Sequence, residues 1–306
     1  MSFAELNAII QLVQDHYDAD IYVHVGDITE PYGNRIREWL SDKANKTRPN
    51  ALLILKTYGG SPDTAYRIAR AFQIAYATRQ RADTQSRAPI GKFYVYIDGP
   101  CMSAGTLIAT GADVVILTER AEFGPLDTQI RKQDELGERT SGLVPVQAFD
   151  SLLRQSYSTF RHIFKRLRFD DDMGFSTRTA ADIAGQLTVG LLGPVYGQID
   201  PSRLAEFERL LNIGAAYGER LSNGNLKEGA IGKLLATYPT HSFIIDSLEA
   251  RDIFVNIEDP SVDLKRLANI FCTGPEADKQ LAGVKVPYSL PLRPISEGDE
   301  GASDGQ

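Results

Sequence analysis

A chain of 306 residues allows two domains, or one large α/β unit with a helical extension, since domains usually run to about 100–200 residues. With 42% hydrophobic and 24% charged residues it holds enough apolar material for a core, which excludes a disordered chain, a fibrous one and a disulfide-stapled miniature. Forty acidic residues against 33 basic ones, a net charge of -7, argue against a general phosphate-binding surface and so against nucleic acid as a partner.

At the start, Phe3, Leu6, Ile10, Val13 and Tyr17 recur at spacings of three and four, which predicts an amphipathic helix within residues 1–19. Ser2 and Glu5 have the spacing of its capping box. No basic leader precedes an apolar stretch, and no run of 18 apolar residues occurs, so neither a secretory signal nor a membrane span is expected. Cys101 and Cys272 fit a reducing compartment, which makes the expected location cytoplasmic. The histidines, His16, His24, His162 and His241, are scattered and match no metal-ligand spacing.

Residues 20–29 read as a strand with Ile21, Val23 and Val25 on one face, and residues 34–43 as a helix. The run Ala51-Leu-Leu-Ile-Leu55 is continuously apolar, as in a strand covered by helices on both faces. It leads into Thr57-Tyr-Gly-Gly-Ser61-Pro62, where Ser61 can cap and Pro62 can open a helix over residues 62–80. A strand over 92–98, a glycine turn, a short helix and a strand over 114–117 follow. Alternation of this kind predicts parallel β-α-β units over residues 20–143. From about residue 144 helices dominate, at 146–168, 177–187, 201–221, 228–238, 248–254 and 260–271, with one returning strand near 242–247. Residues 144–294 therefore read as a helical extension closing the core, and residues 295–306 as an acidic, disordered tail.

Two glycine turns carry chemistry. In Gly99-Pro-Cys-Met-Ser103-Ala-Gly105, a serine sits at the N-terminal edge of a short helix, where outward N–H groups favour negative charge. Neighbouring parallel strands would bring it to the same sheet edge as Gly59-Gly60, so that amides of Gly59 and Ala104 could bind one oxyanion. Serine is also a favoured helix cap, which gives Ser103 a purely structural reading beside the catalytic one.

The segments Thr57-Tyr-Gly-Gly-Ser-Pro-Asp-Thr64 and Gly99-Pro-Cys-Met-Ser-Ala-Gly-Thr106, the second continuing to Gln129, resemble the serine dehydrogenase proteinase family of the Clp protease/crotonase superfamily. Pieces around Pro194-Val-Tyr-Gly197, Tyr217-Gly-Glu-Arg-Leu221 and Tyr238-Pro-Thr-His-Ser242 extend the resemblance over roughly residues 20–260, and signal peptide peptidase A is similar more distantly. The resemblance implies an α/β fold built as a crotonase-like β-β-α spiral, peptidase chemistry without a cofactor, and self-association into a homo-oligomer. It puts the nucleophile on Ser103 and the oxyanion hole on Gly59, with Gly60 beside it, and Ala104.

A serine hydroxyl needs a base to take its proton. The histidine that the Clp proteolytic subunit carries about one strand after its serine has no counterpart in Ala121-Glu-Phe-Gly-Pro-Leu-Asp-Thr128. Histidine as a residue type has an unperturbed pKa near neutrality, which makes His241 one candidate, with a local turn contact as its other reading. Lys132 is a second by similarity to the serine–lysine dyad of signal peptide peptidase A, although Arg131, Gln133, Asp134 and Glu135 suggest a solvated lysine. Asp127 could orient a base or cap a turn. Cys101 could be a thiol nucleophile or a packed core residue. His162, with Arg161, Lys165, Arg166 and Arg168, reads as a solvated basic face. The function expected is a serine peptidase-like hydrolase acting on a peptide or protein. The alternatives are a catalytically inactive Clp-like scaffold and a crotonase-type acyl-CoA enzyme.

Overall fold

A computed structural model of the chain describes residues 3–76, 91–126, 129–131, 139–141, 143–170, 174–272 and 288–292. In chain order the elements are α1 (Phe3–Tyr17), β1 (Ala19–Val25), α2 (Glu30–Ser41), β2 (Asn50–Lys56), α3 (Pro62–Ala75), β3 (Phe93–Ile97), β4 (Pro100–Cys101), α4 (Ala104–Thr110), β5 (Val114–Leu117) and β6 (Glu122–Phe123). There follow β7 (Gln129–Arg131), β8 (Arg139–Ser141), α5 (Leu143–Phe169), α6 (Thr177–Tyr196), α7 (Pro201–Leu221), α8 (Ala230–Ala236), β9 (Ile245–Asp246), β10 (Ile257–Glu258), α9 (Val262–Cys272) and β11 (Tyr288–Leu292).

Six strands form the main sheet in the order β10-β5-β3-β2-β1-β11. The first five are mutually parallel, and β11 runs antiparallel to β1. Alternate residues of each strand face opposite layers, and both layers are apolar. One face carries Tyr22, Leu53, Leu55, Val95 and Val115 against Ile36 of α2, Ile68 and Phe72 of α3, and Leu107 of α4. The other carries Ile21, Val23, Leu52, Ile54 and Ile116 against Ile10 and Val13 of α1 and Leu264 and Leu267 of α9. Two-sided burial explains why β2 is an unbroken apolar run. The molecule is thus a mixed α/β protein with a parallel sheet between helical layers, as the alternation along the chain predicts.

A second, small sheet orders β4-β6-β9, with β4 parallel and β9 antiparallel to β6. This is the element that frames the site. Among the described residues no helix is long and apolar enough to cross a membrane.

The chain divides into two compact units, Met1–Asp127 with Gly214–Gln306, and Thr128–Ile213. The chain leaves the first unit after residue 127 and re-enters it at 214. Residues beyond 213 supply β9, β10 and β11 to the two sheets and α9 to one face of the larger one, and strands of two residues are too short to show periodicity in a sequence. The unit Thr128–Ile213 holds the β7–β8 pair and the antiparallel helices α5 and α6, where the Tyr196 ring meets Phe149 at 6.2 Å and its hydroxyl lies 3.1 Å from Ser156 Oγ. α6, expected to stop at residue 187, continues through Gly190, Gly193 and Pro194 to Tyr196; glycines inside a helix cost only about 1 kcal/mol each, although an interior proline costs about 3 kcal/mol. Residues 248–254, expected as helix, form a 3-10 turn at Glu249–Asp252. Ser2 and the tail 295–306 lie outside the described residues.

Candidate active site

Where β2 ends, the backbone of Thr57 takes up a parallel bridge with Cys101. The Thr57 N–H donates to the Pro100 carbonyl at 2.8 Å, and the Met102 N–H donates to the Thr57 carbonyl at 2.9 Å. On the other side, the glycine turn docks on the loop after β1: the Ile28 N–H donates to the Gly59 carbonyl, and the Ser61 N–H to the Ile28 carbonyl, both at 2.8 Å. Gly59 and Gly60 have φ of +117° and +144°. A Cβ on Gly60 would lie 2.2 Å from the Ile28 carbonyl oxygen, and one on Gly59 would lie 3.1 Å from Ser103 Cβ. Only glycine lets three loops close up this far. Ser61 caps α3 as expected, its Oγ accepting from the Thr64 N–H at 3.2 Å.

Ser103 stands at φ +51° and ψ -110°. A side chain on such a backbone stores about 1–3 kcal/mol of strain, which persists only where the surroundings impose it. A capping serine takes an extended backbone and turns its oxygen onto the second or third N–H of its helix. Ser103 does neither, and its side chain makes no cap bond to α4. The capping role that competes with catalysis is therefore not the role this serine plays.

Several contacts impose the conformation. Gly105 N–H donates to the Met102 carbonyl at 2.8 Å, and Leu107 N–H donates to the Ser103 carbonyl at 3.0 Å. A Cβ at Gly105 would meet Thr57 Cγ2 at 2.5 Å and Cys101 Sγ at 3.0 Å, so α4 can start here only with glycine at 105. The buried Thr106 hydroxyl accepts from the Gly124 N–H at 3.2 Å and faces the carbonyls of Gly124, at 2.7 Å, and Cys101, at 2.9 Å. That hydroxyl ties the serine turn to the end of β6. Gly124 packs so close that a Cβ there would lie 3.0 Å from the Ser103 nitrogen.

The geometry brings Ser103 and Gly59 together, but the Gly59 amide is already paired. The Gly59 N–H donates to Thr57 Oγ1 at 3.0 Å and is thus engaged within its own turn. Among the described residues the N–H groups of Gly60 and Ala104 have no acceptor. For Ala104 this follows from its place as the first residue of α4, where no intrahelical carbonyl is available.

As for a base, the register of the small sheet is informative. β4 and β6 run the same way, so Ser103 and Gly124 leave the sheet at one end, and the segment from His241 to Ile244 enters β9 at that same end. β9 lies two strand spacings from β4, about 10 Å. His241 is half-buried in the turn closed by the Phe243 N–H donating to the Thr240 carbonyl at 3.1 Å. Lys132 and Asp127 lie outside the described residues.

The remaining candidates fall away from the site. Cys101 is fully buried, its sulfur against Gly105, and burial pushes its thiol up, so it is a packing residue and not a nucleophile. His24 is buried on β1, its ring 6.5 Å from that of Tyr32, and desolvation pulls it down to about 4. His16, in the last turn of α1, and His162, on α5, are exposed. Thr57, Thr106 and Gly124 were not singled out from sequence. The available signal was polar residues at positions the pattern assigns to the interior.

No family model matches the chain, and no curated protein is similar enough to match. Among solved structures the chain is similar to a mutant of a 1510-N membrane-bound stomatin-specific protease, at 16% identity and a TM-score of 0.31 over 54% of this chain and 69% of the other. A likeness of that extent carries no functional argument.

Proposed function

We propose that this chain is a serine peptidase-like hydrolase with the β-β-α spiral of the Clp/crotonase superfamily. Ser103 Oγ attacks the carbonyl of a peptide bond in a peptide or protein, and the N–H groups of Gly60 and Ala104 hold the oxyanion that forms. Gly60 takes the place expected for Gly59, whose amide is spent on Thr57. His241 takes the serine proton and returns it to the leaving amine, with Lys132 as the other candidate. Water then releases the acyl group, and no cofactor takes part. The observation that carries this reading is the strained, uncapped Ser103 packed against the Gly59-Gly60 turn. Strain and an unused hydroxyl at a strand-to-helix turn are what an exposed nucleophile requires.

The test is labelling with a serine-reactive fluorophosphonate, followed by identification of the modified residue. The expected outcome is one adduct on Ser103, lost in Ser103→Ala. No adduct on the wild-type protein would leave the inactive scaffold as the better description.

The same reading includes assembly with further copies of the chain. Between residues 128 and 213 the fully buried apolar residues among those described are Ala180 and Ala184, while Leu153, Tyr157, Leu187, Val189 and Leu191 are exposed. Two helices alone cannot cover such residues, and two hairpins can, as a four-helix bundle. Residues 183–199 carry no charge, which suits a two-fold contact where each residue meets its own copy. The free, buried thiols of Cys101 and Cys272 fit a reducing, cytoplasmic setting.

A further inference from the structure

We propose that Thr57 is a positioning residue that sets which amide of the glycine turn is presented to the nucleophile, an inference that rests on the peptidase reading above. Thr57 acts on both turns, through its own peptide group and through its hydroxyl. Its N–H and carbonyl bond to Pro100 and Met102, at 2.8 and 2.9 Å, and so fix β4 and the turn that leads from it into Ser103. Its Oγ1 accepts the Gly59 N–H at 3.0 Å and lies 3.2 Å from the Gly59 carbonyl oxygen, and so fixes the peptide groups of the glycine turn. Its Cγ2 fills the space over Gly105, where a Cβ would lie only 2.5 Å away. The residue is fully buried and touches no solvent.

The consequence is a division of labour between neighbouring amides. A chain of two glycines has no side chain to hold its peptide planes, and with φ of +117° and +144° both are in conformations open to glycine alone. The Thr57 hydroxyl consumes the first N–H and thereby holds the plane that follows, leaving the Gly60 N–H without an acceptor among the described residues. Without that hydroxyl, the Gly59 N–H would itself need an acceptor, and the turn would be free to rotate and supply one. Thr57 touches no reacting atom. It acts by keeping an oxyanion donor aimed before the substrate arrives, which is the form in which such donors are effective.

The experiment compares the second-order rate constant for fluorophosphonate labelling of Ser103 in wild type, Thr57→Val and Thr57→Ser, with melting curves for each. Valine keeps the shape and deletes the hydroxyl; serine keeps the hydroxyl and deletes the methyl. The expected result is a loss of about tenfold or more in Thr57→Val, against up to about a thousandfold for removing an oxyanion donor outright, with Thr57→Ser within about threefold of wild type. An unchanged rate in Thr57→Val overturns the proposal, as does an equal loss in both variants, which would assign the effect to packing. Should Thr57→Val fail to fold, Thr57→Ser decides: a retained rate supports the role of the hydroxyl and a lost one overturns it. If the wild type itself is not labelled, the peptidase reading falls and this inference with it; if it is labelled and the valine variant keeps pace, only the role of Thr57 is refuted.

Discussion

Replacing Ser103 separates two properties that the native residue combines, a hydroxyl and a strained backbone. At φ +51° and ψ -110°, any residue with a Cβ carries about 1–3 kcal/mol of strain that glycine escapes. Glycine in turn loosens the unfolded chain, at about 0.4–1 kcal/mol relative to alanine. Ser103 is half-exposed and its side chain makes no bond to the helix it precedes, so truncation removes little packing. The balance makes Ser103→Gly more stable than Ser103→Ala by about 1 kcal/mol, the reverse of the usual order of these residues. In a unit of this size that is about 2–4 °C in melting temperature. Thermal unfolding followed by circular dichroism measures it, and neither variant should react with fluorophosphonate. A glycine variant melting at or below the alanine variant would mean that residue 103 is relaxed, and the step from its geometry to an exposed nucleophile would be lost.

Other substitutions probe the framework. Gly60→Ala places a Cβ 2.2 Å from the Ile28 carbonyl oxygen; it should abolish labelling and lower the melting temperature by several degrees, and a variant as stable and reactive as wild type would contradict the packing described. Folding stability should rise with pH between about 4 and 6.5 because of His24, whose folded-state value is pulled down from 6.5 by burial. In that window the unfolded chain binds a proton that the folded chain excludes, so the contribution, on the order of 3 kcal/mol, is complete above pH 6.5 and lost as pH falls towards 4. Urea unfolding at stepped pH should show this slope, and His24→Phe should flatten it. Val189→Glu and Leu191→Glu, at exposed positions of α6, should reduce the mass measured by light scattering to that of a single chain; an unaltered mass would place the contact between copies elsewhere.

The parallel sheet was legible because Ala51 to Leu55 and the strand around Val95 are apolar without interruption, and α7 was read with its observed bounds because Pro201 opens it. The strands β10 and β11 escaped for opposite reasons. One has two residues and no period, and the other contains Pro291, which weakens a strand reading although the edge of a sheet accepts it. At the site, the meeting of Ser103 with Gly59 could be read from strand–turn–helix repetition. That the serine would hold a positive φ could not, since nothing local distinguishes it from a capping serine. The assignment of amides turned on one hydroxyl, Thr57 Oγ1, and side-chain bonds to backbone within a turn depend on angles that spacing does not encode.

The pairing of β11 with β1 joins Leu292 to Ile21, and this has a bearing on biosynthesis. β1 finds β2 early, but its outer edge stays open until residue 292 has emerged from the ribosome, on the order of tens of seconds later at ordinary elongation rates. Throughout that interval a nascent chain displays an apolar strand with unsatisfied main-chain groups, the kind of template that recruits neighbouring polypeptides. Yield in cells should accordingly depend on chaperone supply during translation more than on the final stability of the folded product.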